Sequence, residues 1–196
     1  GSANRATTNF TTDTIISEAD NSYDGHDITV TGCTVTVHGS HDFAGVTVEE
    51  ADGALVFDGA ALTTDSVLVR DSAVLELAGG ANLVVAGELR VAGTSKLLAR
   101  GKNVDAQVDG QWAGAGVTIQ AATLTVENDA AVSADGSGYS GSPDAPGKGP
   151  GGGSGVGGGG YGGQGGSVTG GPPYGASLGP TDLGSAGGGS RGYSGL

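Results

Sequence analysis

Pairs of apolar residues, two positions apart, recur every 18–22 residues from Ile28 to Ala99, reappear once more up to Ala134, and then stop. Val46/Val48 is followed 21 residues later by Val67/Val69, and 22 after that by Leu89/Val91. A second series keeps step with the first: Leu55/Phe57, Leu75/Leu77, Leu97/Ala99. Both series then jump by 35 residues, to Leu124/Val126 and Val132/Ala134. Two independent columns taking the same jump imply one further coil plus an insertion of about 13 residues, spanning roughly residues 99–116. Upstream, Ile28/Val30 and Val35/Val37 supply an earlier coil. Alternation within each pair has period 2, as strands require. Turn signals separate the pairs, among them Thr31-Gly32, His38-Gly39, Asp52-Gly53, Asp58-Gly59 and Gly79-Gly80.

A fixed strand period of this length predicts an all-β chain, a parallel β-solenoid (β-helix) of at least five coils over residues 27–135. The crossover preference makes it right-handed. Residues 1–26 lack the repeat but hold Phe10, Ile15, Ile16 and Tyr23; they are expected to cap one open end. The competing fold is an antiparallel β-sandwich, which also uses short alternating strands but has no reason to keep a fixed period. The solenoid register further predicts outward columns. Thr47, Leu68, Arg90 and Thr125 form one, and Glu49, Arg70 and Glu127 the next. Glu49 and Arg70 then stand one strand spacing apart, ~4.8 Å, close enough to pair. Such an exposed pair adds little stability but is a sharp test of register.

Composition agrees with thin stacked coils. Aromatic residues are 5% of the chain and Met is absent, so the core must come from Val, Leu, Ile and Ala. The net charge is −13, with three Lys and five Arg. That field repels phosphate backbones and anionic lipid, so no nucleic-acid partner is expected. No run of 18 apolar residues exists, so no membrane insertion is expected. Cys33 is the only cysteine, which excludes an internal disulfide; period 2 with Val35 and Val37 points it inward, as a structural thiol. Gly1-Ser2 looks like a cloning scar, consistent with a signal peptide already removed. An acidic, Lys-poor, Thr/Gly-rich composition leans towards an extracellular or cell-surface location.

Residues 136–196 change texture: 27 of 61 are Gly, and all six Pro of the chain lie here. One reading is a flexible linker. The other is an ordered segment in which Gly lets backbones approach closely. Tyr139, Tyr161, Tyr174 and Tyr193, with Val156, Val168, Leu178 and Leu183, would then anchor it on a face of the solenoid. The runs Val132-Ser-Ala-Asp-Gly-Ser-Gly-Tyr139, Gly147-Lys-Gly-Pro-Gly-Gly-Gly, Gly157-Gly-Gly-Gly-Tyr161-Gly-Gly-Gln-Gly-Gly and Pro180-Thr-Asp-Leu-Gly-Ser-Ala-Gly-Gly-Gly resemble a known kind of insertion. It interrupts β-helical repeats in large secreted bacterial adhesin-like surface proteins of myxobacterial or planctomycete type. The resemblance implies a structural or adhesive role at the cell surface. In those proteins further strands follow the final Gly run, so the rest of a longer parent chain is an expected partner.

Few residues carry chemistry. His26, His38 and His41 lie within 16 residues of one another, beside Asp24, Asp27 and Asp42. His with carboxylate suits zinc-like ions, but Gly/Ser-His-Asp is also a common turn composition, and no metal site is assigned. No Asp-x-Asp-x-Asp-Gly loop for calcium occurs. Trp112, in Gly110-Gln-Trp-Ala-Gly, is the candidate ligand-binding residue: an indole offers sugars a flat apolar face with one donor. Alternatively it pins the insertion to the solenoid wall. Catalysis by a β-helix enzyme needs clustered carboxylates; Glu76 and Glu88 stand near Arg70, Arg90 and Arg100 without a distinctive motif. No catalytic residue and no cofactor is expected. The sequence therefore predicts a non-catalytic structural or adhesive module displaying loops to a glycan or cell-surface partner. The alternatives are a carbohydrate-active β-helix enzyme or tailspike-type depolymerase, and a ligand-free spacer or filament subunit.

Overall fold

The computed structural model describes residues 5–189. Gly1, Ser2 and Tyr193 lie outside the described residues. Residues 5–100 and 117–133 form one compact unit; residues 101–116 and 134–189 form a second. The described residues contain no α-helix, only a single 3-10 turn at Asn21–Tyr23.

The first unit is a parallel β-solenoid. One sheet holds, in spatial order, β1 (Thr7–Phe10), β3 (Asp27–Thr31), β5 (His41–Glu49), β7 (Ala61–Val69), β9 (Asn82–Val91) and β11 (Thr118–Val126). The other holds β2 (Thr14–Ile16), β4 (Thr34–His38), β6 (Ala54–Asp58), β8 (Val74–Leu77), β10 (Lys96–Ala99) and β12 (Ala131–Ser133). Each odd strand and the even strand after it make one rung, giving six rungs. The aliphatic columns are the register: Val46 pairs with Val67, Val67 with Leu89 and Leu89 with Leu124. Leu55 pairs with Leu75, and Leu75 with Leu97, in the second sheet. The jump of 35 residues is absorbed outside the sheets, by the excursion at 101–116. β1 and β2 lie in the segment expected to cap the stack; they pair in parallel with β3 and β4 as a further rung.

Long odd strands do more than the pair pattern predicts. In β5 the inward positions are His41 and Phe43, then Val46 and Val48. The step from 43 to 46 breaks period 2, so the strand turns a corner and lines two walls. β7 repeats this with Leu62 and Thr64, then Val67 and Val69; β9 turns the same corner between Leu83/Val85 and Leu89/Val91, over a step of four residues instead of three. The extra residue that β9 carries at this corner shifts the ladder between Thr64 and Val67, as a bulge does. It is why one repeat measures 22 residues and its neighbour 21. A second corner is built by backbone conformation. Gly32, Glu50, Asp71 and Gly93 follow their strand pairs by two residues and have φ of 60°, 69°, 58° and 62°. Such left-handed geometry is uncommon outside Gly.

The second unit packs backbone on backbone. Gly153 N–H donates to Ala186 O at 3.1 Å, Gly171 N–H to Gly158 O at 3.0 Å, and Gly188 N–H to Gly157 O at 2.8 Å. These bonds tie segments far apart in sequence, and β-carbons at many of the glycines would fall on neighbouring carbonyls. Only Gly permits that approach, the logic of a crowded collagen axis. Of the expected anchors, Tyr139 is buried and Tyr161 stands edge-on to Tyr174 at 4.9 Å. Val156, Val168 and Leu178 do not anchor anything: all three are largely or fully exposed. An interior filled by main chain leaves no wall for their side chains.

Candidate functional site

Trp112 sits in the excursion of the second unit. An antiparallel bridge between Lys102 and Ala115 closes the neck of that loop, and another between Val108 and Gln111 closes a tight turn at its tip. Asn103 Nδ2 adds a bond to Ala113 O at 3.0 Å. Trp112 is half-buried, edge-on to Tyr139 with ring centroids 5.3 Å apart and planes at 72°, a favoured aromatic geometry. The Tyr139 hydroxyl accepts the Gly114 N–H at 2.8 Å. A β-carbon at Gly114 would lie 2.6 Å from that ring, so Gly is needed for the loop to close over Tyr139. The loop is thus pinned by an aromatic pair inside its own unit, and the indole keeps part of its surface in solvent. Tyr139 was legible as a packing residue, but its pairing with Trp112 depends on tertiary contact and has no local sequence signal.

The solenoid carries a second polar constellation, a groove of about 620 Å³ lined by Leu68, Arg70, Asp71, Arg90, Thr94 and Glu127 among others. Arg70 Nε donates to Glu49 Oε2 at 3.0 Å, the pair expected from the register. Arg90 does not use its in-column neighbour Thr125. It reaches diagonally to Glu127, with Nε donating to Oε1 at 2.8 Å. Arg100 pairs with Glu76 at 2.8 Å, and Thr125 Oγ1 donates to Glu88 at 2.6 Å. Glu49, Glu127 and Glu76 thus each face a different arginine, the last on the second sheet, while Arg70 also stands 3.5 Å from Asp71.

The Arg90 guanidinium and then the Gly93 N–H hold the Glu127 carboxyl below its ordinary value of 4.5. A depressed carboxylate contributes stability that is complete above the unfolded value and is lost as pH falls through the folded one. On acidification from about pH 6 to about pH 3, wild type is expected to lose more melting temperature than Glu127→Gln. Equal slopes in thermal melts across that range would count against the pair.

The histidines do not converge. His26 Nδ1 meets Thr8 Oγ1 at 3.0 Å, and His38 Nδ1 lies 3.7 Å from Asp58. His41 departs from the turn composition read in the sequence: it is buried within β5, with Nδ1 3.0 Å from Asp24 Oδ1 and Nε2 3.0 Å from His38 O. Its ring stacks on Phe43 with centroids 5.6 Å apart. Among the described residues no three His, Cys, Asp or Glu side chains gather as a metal cluster. Asp13 accepts the Thr34 N–H at 2.8 Å, and Asp20 the Ser22 N–H at 3.2 Å. Cys33 is buried, and burial pushes its thiol up from 9.0, away from the reactive thiolate. No family model, curated protein or solved structure matches this chain.

Proposed function

We propose that this chain is a non-catalytic binding module of a secreted or cell-surface protein, presenting a structured loop to a glycan with Trp112 as the contact residue. The observation that carries this reading is the state of Trp112. It is held edge-on by Tyr139 in a loop closed by backbone bridges, yet is only half-buried. Such an indole costs little ordering entropy when a sugar face stacks on it. Glu49, Glu76 and Glu127 are paired with arginines and Glu88 with a threonine, which favours a binding role over hydrolysis, since glycosidases need two carboxylates facing one bond.

The test is a broad glycan array with wild type and Trp112→Ala, beside thermal melts of both and of Trp112→Phe. Selective binding by wild type, lost in the Ala variant and weakened in the Phe variant, which keeps a ring against Tyr139 and the melting temperature unchanged, is the expected result. No selective binding, or binding indifferent to Trp112, overturns the assignment and leaves the ligand-free spacer as the better reading.

A further inference from the structure

The His41 side chain has no surface in solvent, and both of its ring nitrogens face oxygens. Nδ1 lies 3.0 Å from Asp24 Oδ1, and Nε2 lies 3.0 Å from the His38 carbonyl. A carbonyl only accepts, and so does an ionised carboxylate. A neutral imidazole has one N–H, so one of its nitrogens would set a lone pair against an oxygen, with no solvent contact to relieve it. Only a ring with two N–H groups satisfies both contacts. The Phe43 ring, stacked at 5.6 Å with planes 19° apart, gives such a cation a favourable face.

The surrounding charges agree. In the 20–26 turn stand Asp24, Tyr23, which turns to Phe10, and His26, which meets Thr8. Asp20 starts that turn, its carboxyl held below its ordinary value first by the Ser22 hydroxyl and N–H, with the His41 charge adding a smaller pull. Asp42, next along β5, takes the Thr63 hydroxyl at 2.6 Å. In the preceding turn Glu18 lies against Gly39, and the His38 ring stands 3.7 Å from Asp58. β7 presents Leu62, the strand partner of His41. Carboxylates outnumber the other imidazoles, and a cation is the form they favour.

We propose that His41 is held as an imidazolium and acts as a proton-operated latch, fastening the turns at 20–26 and 38–40 to the start of β5. The charged ring donates to Asp24 on one side and to His38 on the other. Asp24 Oδ1 also takes the Asp42 N–H at 3.4 Å, so one carboxylate oxygen ties the first turn to β5 twice. Loss of one ring proton leaves either the Asp24 carboxylate or the His38 carbonyl facing a bare nitrogen, and that turn lets go. The Nε2 edge is taken up by main chain, which leaves no place for a nucleophile and separates this pair from a catalytic His–Asp arrangement. The closed form keeps a proton that an opened, solvated His gives up above about pH 6.5. Closure therefore weakens as pH rises, by up to about tenfold per pH unit for one proton.

Long-range proton–nitrogen NMR spectra of the imidazoles, with amide exchange of the full chain followed from about pH 6 to about pH 9, read this directly. Both His41 nitrogens are expected to carry protons at about pH 7. Protection at Gly25 and Ala44, corrected for intrinsic rate, should fall as pH rises; their N–H groups bond Asp42 O at 2.7 Å and His26 O at 2.8 Å. Ala78, bonded to Phe57 O at 2.9 Å between the third and fourth rungs, should keep its protection. Asp24→Asn keeps an accepting oxygen but removes the charge, and should release the ring proton at a lower pH than wild type. A singly protonated ring at about pH 7, protection flat with pH at Gly25 and Ala44, an equal fall at Ala78, or a titration unmoved by Asp24→Asn would each overturn the latch.

Discussion

Gly151→Ala is expected to disrupt the glycine-rich unit, at a cost of at least about 3 kcal/mol. Gly151 is buried among main chain. An added β-carbon would lie 2.7 Å from the carbonyl oxygens of both Gly160 and Pro172, and 2.8 Å from the Tyr174 ring. Gly151 itself is held from both sides. Gly151 O already accepts from Gly160 N–H at 2.7 Å, and Gly151 N–H donates to Ser185 Oγ at 2.9 Å. Relief of the clash would therefore break hydrogen bonds to two different segments, leaving buried polar groups unpaired. Gly166→Ala is the matched control. It has nothing within 4 Å of the added atom and no left-handed φ, so the loss of unfolded-state freedom should make it neutral or stabilising by about 0.4–1 kcal/mol. Hydrogen exchange resolved along the chain would show faster exchange at residues 147–171 in the first variant and none in the second. Protection unchanged by Gly151→Ala would mean that the close backbone packing is not what holds this unit.

How much of this was legible depends on whether a contact repeats. Val46, Val67, Leu89 and Leu124 could be aligned from sequence because each rung stacks on the next and the inward face alternates with period 2. The Glu49–Arg70 pair followed from the same register. The wall lined by Phe43, Leu62 and Leu83 was hidden, because polar or small members share its columns. His41 pairs with Leu62 and Phe43 with Thr64, and on the last rung Ala121 pairs with Val85. The first rung escaped for the same reason: Thr8 and Thr14 occupy positions that Ile28 and Val35 hold on the rung above. The Arg90–Glu127 pair crosses from one column to the next, and an alignment of columns does not show such a diagonal. In the glycine-rich unit nothing repeats. Its bonds join residues such as Gly153 and Ala186, whose partnership leaves no periodic trace. Trp112 could be singled out by residue type, but not the ring that holds it.

Phe57→Ala is the second large effect expected, and it tests whether the rungs stand or fall together. Phe57 lies on the third rung, fully buried, between Val37 and Leu77 in its column. Its ring tip also underlies the turn at Gly59, where a β-carbon would meet it at 2.8 Å. Removing the ring forfeits its burial and leaves a cavity that two sheets of parallel hydrogen bonds resist closing. Phe→Ala losses of this kind run to about 3–5 kcal/mol. At about 2–4 °C per kcal/mol for a chain of this size, the transition should fall by roughly 6–20 °C. Val132→Ala on the sixth rung, where the side chain is partly exposed, should cost no more than about 0.5 kcal/mol. Because each rung touches only its neighbours, stability of a solenoid is close to a sum of local terms and interfaces. A cavity on an inner rung weakens two interfaces, and one on the last rung weakens a single interface. Exchange measured on Phe57→Ala should therefore show β4 and β8 opening together with β6, ahead of β10. Uniform loss of protection over all six rungs would instead show that the stack melts as one cooperative unit, its interfaces stronger than the rungs they join.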